Sequence, residues 1–416
     1  MPEDWRAGGF GLYIHWPFCQ AKCPYCDFNS HVTAKIDQNR WNRAYISEIR
    51  RIGAQTEGRI LNSVFFGGGT PSLMDVGLVN SIIKCVRATW ASSNSFEVTL
   101  EANPTSVEAG RFAGYRDAGV NRLSLGIQAL NDDDLRALGR LHSVAEARTA
   151  FDLARSCFER VSFDLIYARQ NQSLEGWKSE LDQALSIAAD HLSLYQLSVE
   201  PGTAFGDRHA AGKLPGLPDE DAAADLYLLT QDMCGAAGLP AYEVSNHAAP
   251  GCESRHNMIY WRHGDYVGIG PGAHGRLTLN ATRFATETPL TPVDWLQRVE
   301  RDKNGENLRR ALTPVEQGDE FLMMGLRLSE GISLSRYRAL TGFELSSDKI
   351  NALQALSMVE QIGDRLRGAI QSRLDVVIFR EGTGATFDIS LERAHIIPDT
   401  VTYGQENGIV FLKISS

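Results

Sequence analysis

Residues Gly11 to Phe28 read Gly-Leu-Tyr-Ile-His-Trp-Pro-Phe-Cys-Gln-Ala-Lys-Cys-Pro-Tyr-Cys-Asp-Phe. This stretch places Cys19, Cys23 and Cys26 at C-x3-C-x2-C spacing directly after a short apolar run, which predicts a strand followed by a cysteine loop. Three thiolates on one loop can hold three irons of a 4Fe-4S cluster and leave the fourth iron open, whereas structural zinc takes four protein ligands. The spacing therefore favours an iron-sulfur cluster with one open iron.

Two other interpretations of the cysteine loop remain open at this point. A zinc site is possible if His15, Asp27 or His31 supplies the fourth ligand. The simplest alternative is three unliganded cysteines near the surface. Ligand counting favours the open cluster over both.

The loop and its flanks resemble the radical S-adenosylmethionine (radical SAM) superfamily. Tyr-Ile-His-Trp-Pro-Phe-Cys before the loop and Cys-Asp-Phe after it are similar to the branch that contains the oxygen-independent coproporphyrinogen III oxidases and the HemW-type haem chaperones. The resemblance extends over roughly residues 9 to 365. It implies a 4Fe-4S cluster whose open iron chelates the amino and carboxylate groups of S-adenosylmethionine.

Composition and charge are typical of an intracellular enzyme. The chain has 416 residues and a formal net charge of -10, so it can bury a large core and form one large and one smaller domain. The acidic balance argues against non-specific binding to nucleic acid or anionic membranes. Seven cysteines, three of them on one loop, predict a cytoplasmic protein and no disulfide framework.

Targeting and membrane-spanning segments are not expected. The first residues contain no apolar run of the kind that a secretory signal needs, and no run of 18 apolar residues occurs in the chain. The sequence therefore predicts a protein that is neither secreted nor membrane-spanning.

Six short apolar runs alternate with six amphipathic stretches over the first 240 residues. The runs cover residues 11–16, 63–66, 96–100, 122–126, 161–167 and 191–199, and the helical patterns cover 38–51, 76–88, 107–118, 144–156, 174–188 and 219–237. Units in this order predict parallel strands with right-handed crossovers. A TIM-like barrel, full or partial, and an open doubly wound α/β sheet both fit, and both place the active site at the C-terminal ends of the strands.

The resemblance favours one of these architectures, a partial (βα)6 TIM-like radical SAM barrel with a smaller, mostly helical C-terminal domain. We expect the barrel over residues 1–240, a connecting segment over 241–310 and the C-terminal domain over 311–416, with helices at 316–328, 333–340 and 346–359. Residues 369–416 depart from the family's usual ending. They carry strand-like runs at 376–379, 385–389 and 408–414, to which we attach no function.

A glycine-rich segment ends the second predicted strand. Residues 65–72 read Phe-Phe-Gly-Gly-Gly-Thr-Pro-Ser, and glycine allows a ligand to approach the backbone closely. No Gly-Lys-Ser/Thr follows, which excludes a phosphate-binding Walker loop, and a plain strand-to-helix turn is the alternative. By resemblance, Gly68, Gly69 and Thr70 contact the methionine end of S-adenosylmethionine.

Polar side chains mark the ends of the next three predicted strands. A single polar residue at a strand end is usually a helix cap or a solvated turn, but several on one rim favour a polar ligand with hydroxyls and charged ends. The resemblance assigns a set of six side chains to the shell around S-adenosylmethionine: Tyr13, Tyr25, Glu101, Gln128, Arg140 and Asp164.

Two motif matches in the second half of the chain do not predict sites. Gly270-Pro-Gly-Ala-His-Gly275 fits G-x-G-x-x-G, but the residues that follow read as a strand, whereas dinucleotide binding needs a helix there. Four histidines lie near Cys252, and their spacing matches no compact zinc pattern. They are His247, His256, His263 and His274.

The segment Arg255-His-Asn-Met-Ile-Tyr-Trp261 suggests a haem contact. His256 could be an axial iron ligand beside the flat faces of Tyr260 and Trp261. The alternative is a structural turn in which the histidine caps backbone groups and the aromatic rings pack. The pattern H-N-x-x-Y-W is similar to a signature of the haem-chaperone branch and is associated there with haem binding, which is why we predict that His256 contacts haem.

The choice between the two activities of the branch depends on departures from the oxidase pattern. The oxidases usually have a further cysteine two positions beyond the third cluster cysteine, and this chain has Phe28 there. They also usually have an extension before the first strand, whereas the first predicted strand of this chain begins near residue 10. We therefore expect a haem chaperone that carries haem as cargo to acceptor apo-proteins, including acceptors at the membrane, and that uses an electron donor. The alternative is an oxygen-independent coproporphyrinogen III dehydrogenase that performs radical SAM oxidative decarboxylation.

Overall fold

The computed structural model describes residues 4–33, 35–368, 401–406 and 409–414. Its β-strands are β1 Phe10–Trp16, β2 Phe18–Cys19, β3 His31–Val32, β4 Ile60–Gly68, β5 Ala91–Ala102, β6 Arg122–Gln128, β7 Arg160–Tyr167, β8 His191–Gln196, β9 Asn246–Ala248, β10 Asp265–Ile269, β11 His274–Leu279, β12 Thr282–Glu287, β13 Leu308–Ala311, β14 Ile332–Ser333, β15 Val359–Ile362, β16 Arg365–Gly368, β17 Val401–Glu406 and β18 Ile409–Ile414.

The α-helices are α1 Gln38–Gln55, α2 Val76–Thr89, α3 Ser106–Ala109, α4 Phe112–Ala118, α5 Asp132–Ala137, α6 Val144–Cys157, α7 Leu174–Ile187, α8 Ala204–Ala210, α9 Glu220–Ala236, α10 Arg255–Trp261, α11 Pro292–Asp302, α12 Pro314–Gly325, α13 Leu334–Thr341 and α14 Ser347–Ala355. Short 3-10 helices cover Asp4–Ala7 and Pro71–Leu73.

The predicted parallel core is confirmed. Strands β1, β4, β5, β6, β7 and β8 lie side by side in this order and pair in parallel, with at least one helix between successive strands. All seven residues of β1 are buried, as expected of a parallel strand that is covered on both faces. The predicted α/β class and the six strand-helix units of the (βα)6 partial barrel are therefore present.

The sheet continues beyond the six predicted strands. Strand β10 pairs in parallel with the free edge of β1, strands β11 to β13 continue antiparallel from it, and β9 pairs antiparallel with β8. Residues 241–310, which we predicted as a connecting segment, thus supply five strands to the same sheet. The pattern of β10 is hard to recognise because its five residues stand between Gly264 and Gly270, which are typical turn signals.

An aromatic cluster fixes the end of β1 from which the cysteine loop departs. Trp16 packs edge-on against Trp41 of α1, and Trp41 stacks on Trp295 of α11 with ring centroids 5.4 Å apart. The hydroxyl of Tyr45 donates a hydrogen bond to the backbone oxygen of His15 at 2.6 Å. Because these rings are all fully or almost fully buried, the strand end that carries the loop is held rigidly.

The C-terminal domain is smaller and mostly helical, as predicted, with a three-stranded sheet in the order β14-β16-β15. Phe321, Leu322, Ile350 and Leu366 are buried in its core. A buried ion pair between Arg276 of β11 and Glu320 of α12, 2.8 Å apart, joins it to the large sheet.

The predicted strand-like run at 408–414 corresponds to β18, which pairs with β17. The runs at 376–379 and 385–389 lie outside the described residues. In the parts of the chain that the structure describes, no helix has both the length and the apolar character needed to span a membrane.

Candidate functional site

The three cysteines of the loop face one cavity at the C-terminal ends of the parallel strands. Cys19 ends β2, and the backbone N–H of Cys26 donates to the backbone oxygen of Cys23 at 3.1 Å, which closes a tight turn. All three thiols are free and half-buried, and they line a cavity of about 200 Å³. Strand β1 and the glycine-rich end of β4 therefore present the loop where a parallel sheet binds its ligands.

The cysteine loop does not have the geometry of a mononuclear zinc site. Among the described residues, no three His, Cys, Asp or Glu side chains converge closely enough to hold one metal ion. His15 accepts from the Tyr13 hydroxyl at 3.2 Å and donates to the Asn29 backbone oxygen at 3.0 Å, so both of its ring nitrogens are already engaged. Thiols that stand apart on one rim suit a cluster, in which each thiolate binds its own iron.

The electrostatics of the loop couple metal binding to proton release. The pKa of Cys26 is raised to about 12, chiefly by burial and also by the neighbouring Cys23, Cys19 and Asp27 charges, against a hydrogen bond from the Phe28 backbone. Burial also raises the pKa of Cys19. Since iron binds thiolates, loading a cluster must displace these protons.

The glycines after β4 are required by close backbone contacts. A Cβ on Gly69 would lie 2.7 Å from the backbone oxygen of Phe18, and Gly68 has a φ of +106°, where a Cβ would meet the His15 ring at 2.6 Å. The backbone N–H of Thr70 donates to the Phe18 oxygen at 2.8 Å. Only glycine therefore lets this segment lie against the start of the cysteine loop.

Most of the predicted site residues line the same cavity. They are Cys19, Cys23, Tyr25, Cys26, Gly68, Gly69, Thr70, Glu101, Gln128, Arg140 and Asp164. Tyr13 and His256 do not line it. The Tyr13 ring lies within the sheet, stacked on Phe65 at 6.2 Å, so its predicted contact with S-adenosylmethionine is not visible in this arrangement.

The cavity wall contains buried polar atoms that lack a hydrogen-bond partner, among them Oε1 of Gln128 and Nε of Arg140. Gln128 has a φ of +75° at a bulge between β6 and β7, so the backbone is distorted where this side chain enters the site. Because buried polar atoms are normally paired, an acceptor and a donor left open in one cavity fit a polar ligand such as S-adenosylmethionine.

Asp164 presents a carboxyl group with a perturbed pKa to the cavity. Burial raises its pKa to about 6, opposed by hydrogen bonds from Ser193 and Ser124 and by the charges of Arg122 and Arg140. A carboxyl group whose ionisation is unfavourable in the free protein can accept a hydrogen bond from a ligand hydroxyl or pair with a positive charge of the ligand. Together with the thiols and the open polar atoms, this donor set fits a cluster and S-adenosylmethionine.

Family comparisons agree with this geometry. The model of the radical SAM superfamily matches residues 13–183, and that of the HemN C-terminal domain matches residues 312–368. The protein named heme chaperone HemW from Haemophilus influenzae is 39% identical over 350 residues, which cover 81% of this chain and 88% of that protein. The chain belongs to the HemW family of the radical SAM superfamily.

The chain is also similar to a second bacterial protein and to a mouse protein whose name describes it as mitochondrial. The heme chaperone HemW of Escherichia coli is 39% identical over 80% of this chain and 86% of its own length. Radical S-adenosyl methionine domain-containing protein 1, mitochondrial, of Mus musculus is 40% identical over 77% of this chain and 74% of its own length. The solved structure of coproporphyrinogen III oxidase (HemN) from Escherichia coli has a TM-score of 0.74 at 21% identity, over 90% of this chain and 88% of that one, and shows the shared fold.

The H-N-x-x-Y-W segment of this HemW-family chain is buried in the core. His256 is 1% exposed, its Nδ1 lies 2.8 Å from the Ser63 hydroxyl, and its Nε2 lies 2.6 Å from the Tyr260 hydroxyl. Its ring stacks on Phe65 at 5.1 Å, and burial lowers its pKa to about 3. Both ring nitrogens are engaged away from solvent by side-chain hydroxyls, so His256 has a structural role in this arrangement, and its contact with haem stays a prediction.

The structure also identifies cavity residues that the sequence analysis did not assign. Asn103 lies between Thr70 and Arg140, and Phe28 lines the cavity beside the cysteines. The last two residues of β8 and the two that follow it, Tyr195 to Ser198, complete the wall. Asn103 follows Glu101 in Glu-Ala-Asn-Pro at a strand end, so its position in the sequence could have indicated a cavity residue. The contribution of Tyr195 to Ser198 depends on how far β8 extends, which the sequence pattern does not show.

Proposed function

We propose that this protein is a haem chaperone that binds haem and delivers it to acceptor haemoproteins in the cytoplasm or at the membrane. The observation that carries the proposal is the 39% identity to proteins named heme chaperone HemW over at least 80% of this chain and 86% of theirs. The match to the oxidase structure is 21% identical and supports the fold alone.

The core of the proposed chaperone holds a 4Fe-4S cluster on Cys19, Cys23 and Cys26. When bound, such a cluster supplies an iron with an open coordination position and one-electron chemistry, for which an electron donor is required. Glu101, Gln128 and Asp164 would position S-adenosylmethionine from the strand ends by hydrogen bonds and charge. The glycines after β4 would let its methionine end lie against the backbone.

Haem binding in this proposal does not depend on His256. An axial bond would require one ring nitrogen to leave its hydroxyl partner, Ser63 or Tyr260, at the cost of a buried hydrogen bond, and would require a side chain that is 1% exposed to become accessible to haem. The haem iron must therefore be held elsewhere, or by a rearranged form of the segment.

The second candidate function is oxygen-independent coproporphyrinogen III dehydrogenation. The observations in its favour are the shared fold over 90% of the chain and a cavity that contains the radical SAM donor set. Against it, Phe28 stands where the oxidases have a further cysteine, so that position of the cavity lining offers no thiol.

The proposal is tested by haem transfer. Anaerobically reconstituted protein loaded with one equivalent of haem is mixed with an apo-haemoprotein, and the acceptor spectrum is followed over time. Transfer faster than from haem bound to serum albumin is the expected result. Failure to bind haem at micromolar concentration, or transfer no faster than from albumin, would contradict the chaperone assignment.

The cluster is tested separately by its iron content. Cys19→Ala, Cys23→Ala and Cys26→Ala should each lose the iron-sulfur absorbance, whereas Cys85→Ala and Cys157→Ala, which remove cysteines outside the cavity, should keep it. A full 4Fe-4S signal in Cys23→Ala protein would contradict the ligand assignment.

A further inference from the structure

Three side chains form a continuous hydrogen-bonded chain between two of the cluster cysteines. The Thr70 hydroxyl donates to Sγ of Cys19 at 3.4 Å, and the Asn103 amide nitrogen donates to the Thr70 hydroxyl oxygen at 3.3 Å. Arg140 donates from Nη2 to Oδ1 of Asn103 at 2.5 Å and from Nη1 to Sγ of Cys23 at 3.5 Å. The two sulfurs are thus joined through side chains that follow β4, β5 and α5.

The donors and acceptors of this chain can be arranged in one direction only. A guanidinium group donates and never accepts, so the oxygen of the Asn103 amide must face Arg140 and its nitrogen must face Thr70. The Thr70 oxygen then accepts from Asn103, and its own proton is left to point at the Cys19 sulfur. Asn103 therefore determines that Thr70 donates to Cys19.

A hydrogen bond from its backbone N–H holds Asn103 in place. Its N–H donates to Oε2 of Glu108 at 3.0 Å, and the buried Glu108 carboxyl also accepts from the Ser72 hydroxyl. The Glu108 pKa is raised by burial, against hydrogen bonds from Ser72, Asn103 and Thr105. The side-chain amide of Asn103 is thus fixed between the ends of β4 and β5. Exchanging the positions of its oxygen and nitrogen would break its hydrogen bonds with both Thr70 and Arg140.

We propose that Asn103 is a positioning residue that keeps hydrogen bonds directed at the cluster cysteines and thereby raises the reduction potential of the cluster. Adding an electron increases the negative charge on the cysteine sulfurs, and hydrogen bonds to those sulfurs stabilise the reduced state. This inference rests on the proposed cluster at Cys19, Cys23 and Cys26. It adds that Asn103 and Thr70 make the cluster easier to reduce for its electron donor.

The test is a redox titration of the reconstituted protein without S-adenosylmethionine, with dithionite as reductant and the reduced cluster followed by electron paramagnetic resonance. Thr70→Val removes the hydroxyl and keeps the shape, and Thr70→Ser restores a hydroxyl as the matched control. Asn103→Asp keeps the size of the side chain but replaces the amide donor with an acceptor, which draws the Thr70 proton away from Cys19.

We expect Thr70→Val and Asn103→Asp to hold as much iron as the wild type and to shift the midpoint potential to more negative values, and Thr70→Ser to return it towards the wild-type value. An unchanged midpoint in Thr70→Val protein of full iron content would overturn the inference. So would loss of iron from Thr70→Val, because a hydrogen bond that tunes the potential is not needed to retain the cluster. A wild-type protein that binds no cluster would instead overturn the proposed core.

Discussion

The Nε2 atom of His256 lies 2.6 Å from the hydroxyl oxygen of Tyr260, four residues further along the same short helix. The other ring nitrogen contacts Ser63 of β4, so the histidine connects α10 to the interior of the sheet. This pair accounts for the spacing of His and Tyr in the H-N-x-x-Y-W segment, since residues four apart face each other on a helix. The segment therefore has a structural explanation that does not involve haem.

His256→Ala should reduce stability and leave haem binding intact. The substitution opens a cavity and removes the imidazole that hydrogen-bonds to the Ser63 and Tyr260 hydroxyls, which we expect to lower the free energy of unfolding by about 2 to 4 kcal/mol. Chemical denaturation and a haem titration of the same sample measure both effects. His209→Ala, which removes an exposed histidine, is the control. A normal stability together with a lost Soret band would restore His256 as the haem ligand.

Gln128→Ala should weaken S-adenosylmethionine binding without changing the iron content. Its Oε1 is buried and unpaired in the cavity, so a ligand donor placed there would gain a hydrogen bond that the free protein lacks. We expect the Kd to rise about 10-fold, as for the loss of one hydrogen bond to a charged ligand. Equilibrium dialysis compares it with Gln354→Ala, an exposed glutamine of α14. Equal affinities in the two variants would exclude Gln128 from the site.

Asp164→Asn should become more stabilising as the pH rises. The pKa of Asp164 is raised to about 6 from an ordinary value of 3.8. The protonated carboxyl group therefore makes its full contribution to the free energy of unfolding below pH 4, and this contribution is lost as the pH rises through 6. The amide cannot ionise. The stability difference between variant and wild type should therefore grow between pH 4 and pH 8, by at most about 3 kcal/mol. A difference that is constant over this range would mean that the carboxyl group is not perturbed.

Acid should destabilise the fold through the buried His247. His247 is fully buried, and burial lowers its pKa to about 4 from an ordinary value of 6.5. The unfolded chain therefore binds the proton first, and stability is lost as the pH falls from 6.5 towards 4, by up to about 3 kcal/mol for this residue. Urea denaturation of wild type and His247→Leu at pH 7 and pH 5 should show that the variant loses less free energy of unfolding between the two pH values. Equal losses in the two proteins would mean that His247 does not cause the acid sensitivity.

The sequence allowed prediction of the parallel core because its apolar runs are long and are separated by clear helical patterns. It did not reveal β10, whose five residues, Asp265–Ile269, pair with Phe10–Ile14 of β1 from the other end of a long stretch of intervening chain. The same long-range pairing brings α10 against β4 and buries His256, which a local motif cannot indicate. Most of the cavity residues were predictable because they stand at strand ends, where the chain order of a parallel sheet places them on one rim.

One parallel assay on anaerobically reconstituted wild-type protein distinguishes a haem chaperone from a coproporphyrinogen dehydrogenase. Samples with S-adenosylmethionine and a reductant receive either haem or coproporphyrinogen III, and the haem spectrum and the porphyrin products are measured side by side. We expect a stable Soret band with haem and no decarboxylated product from coproporphyrinogen. Multiple-turnover formation of protoporphyrinogen, with no stable haem complex, would contradict it.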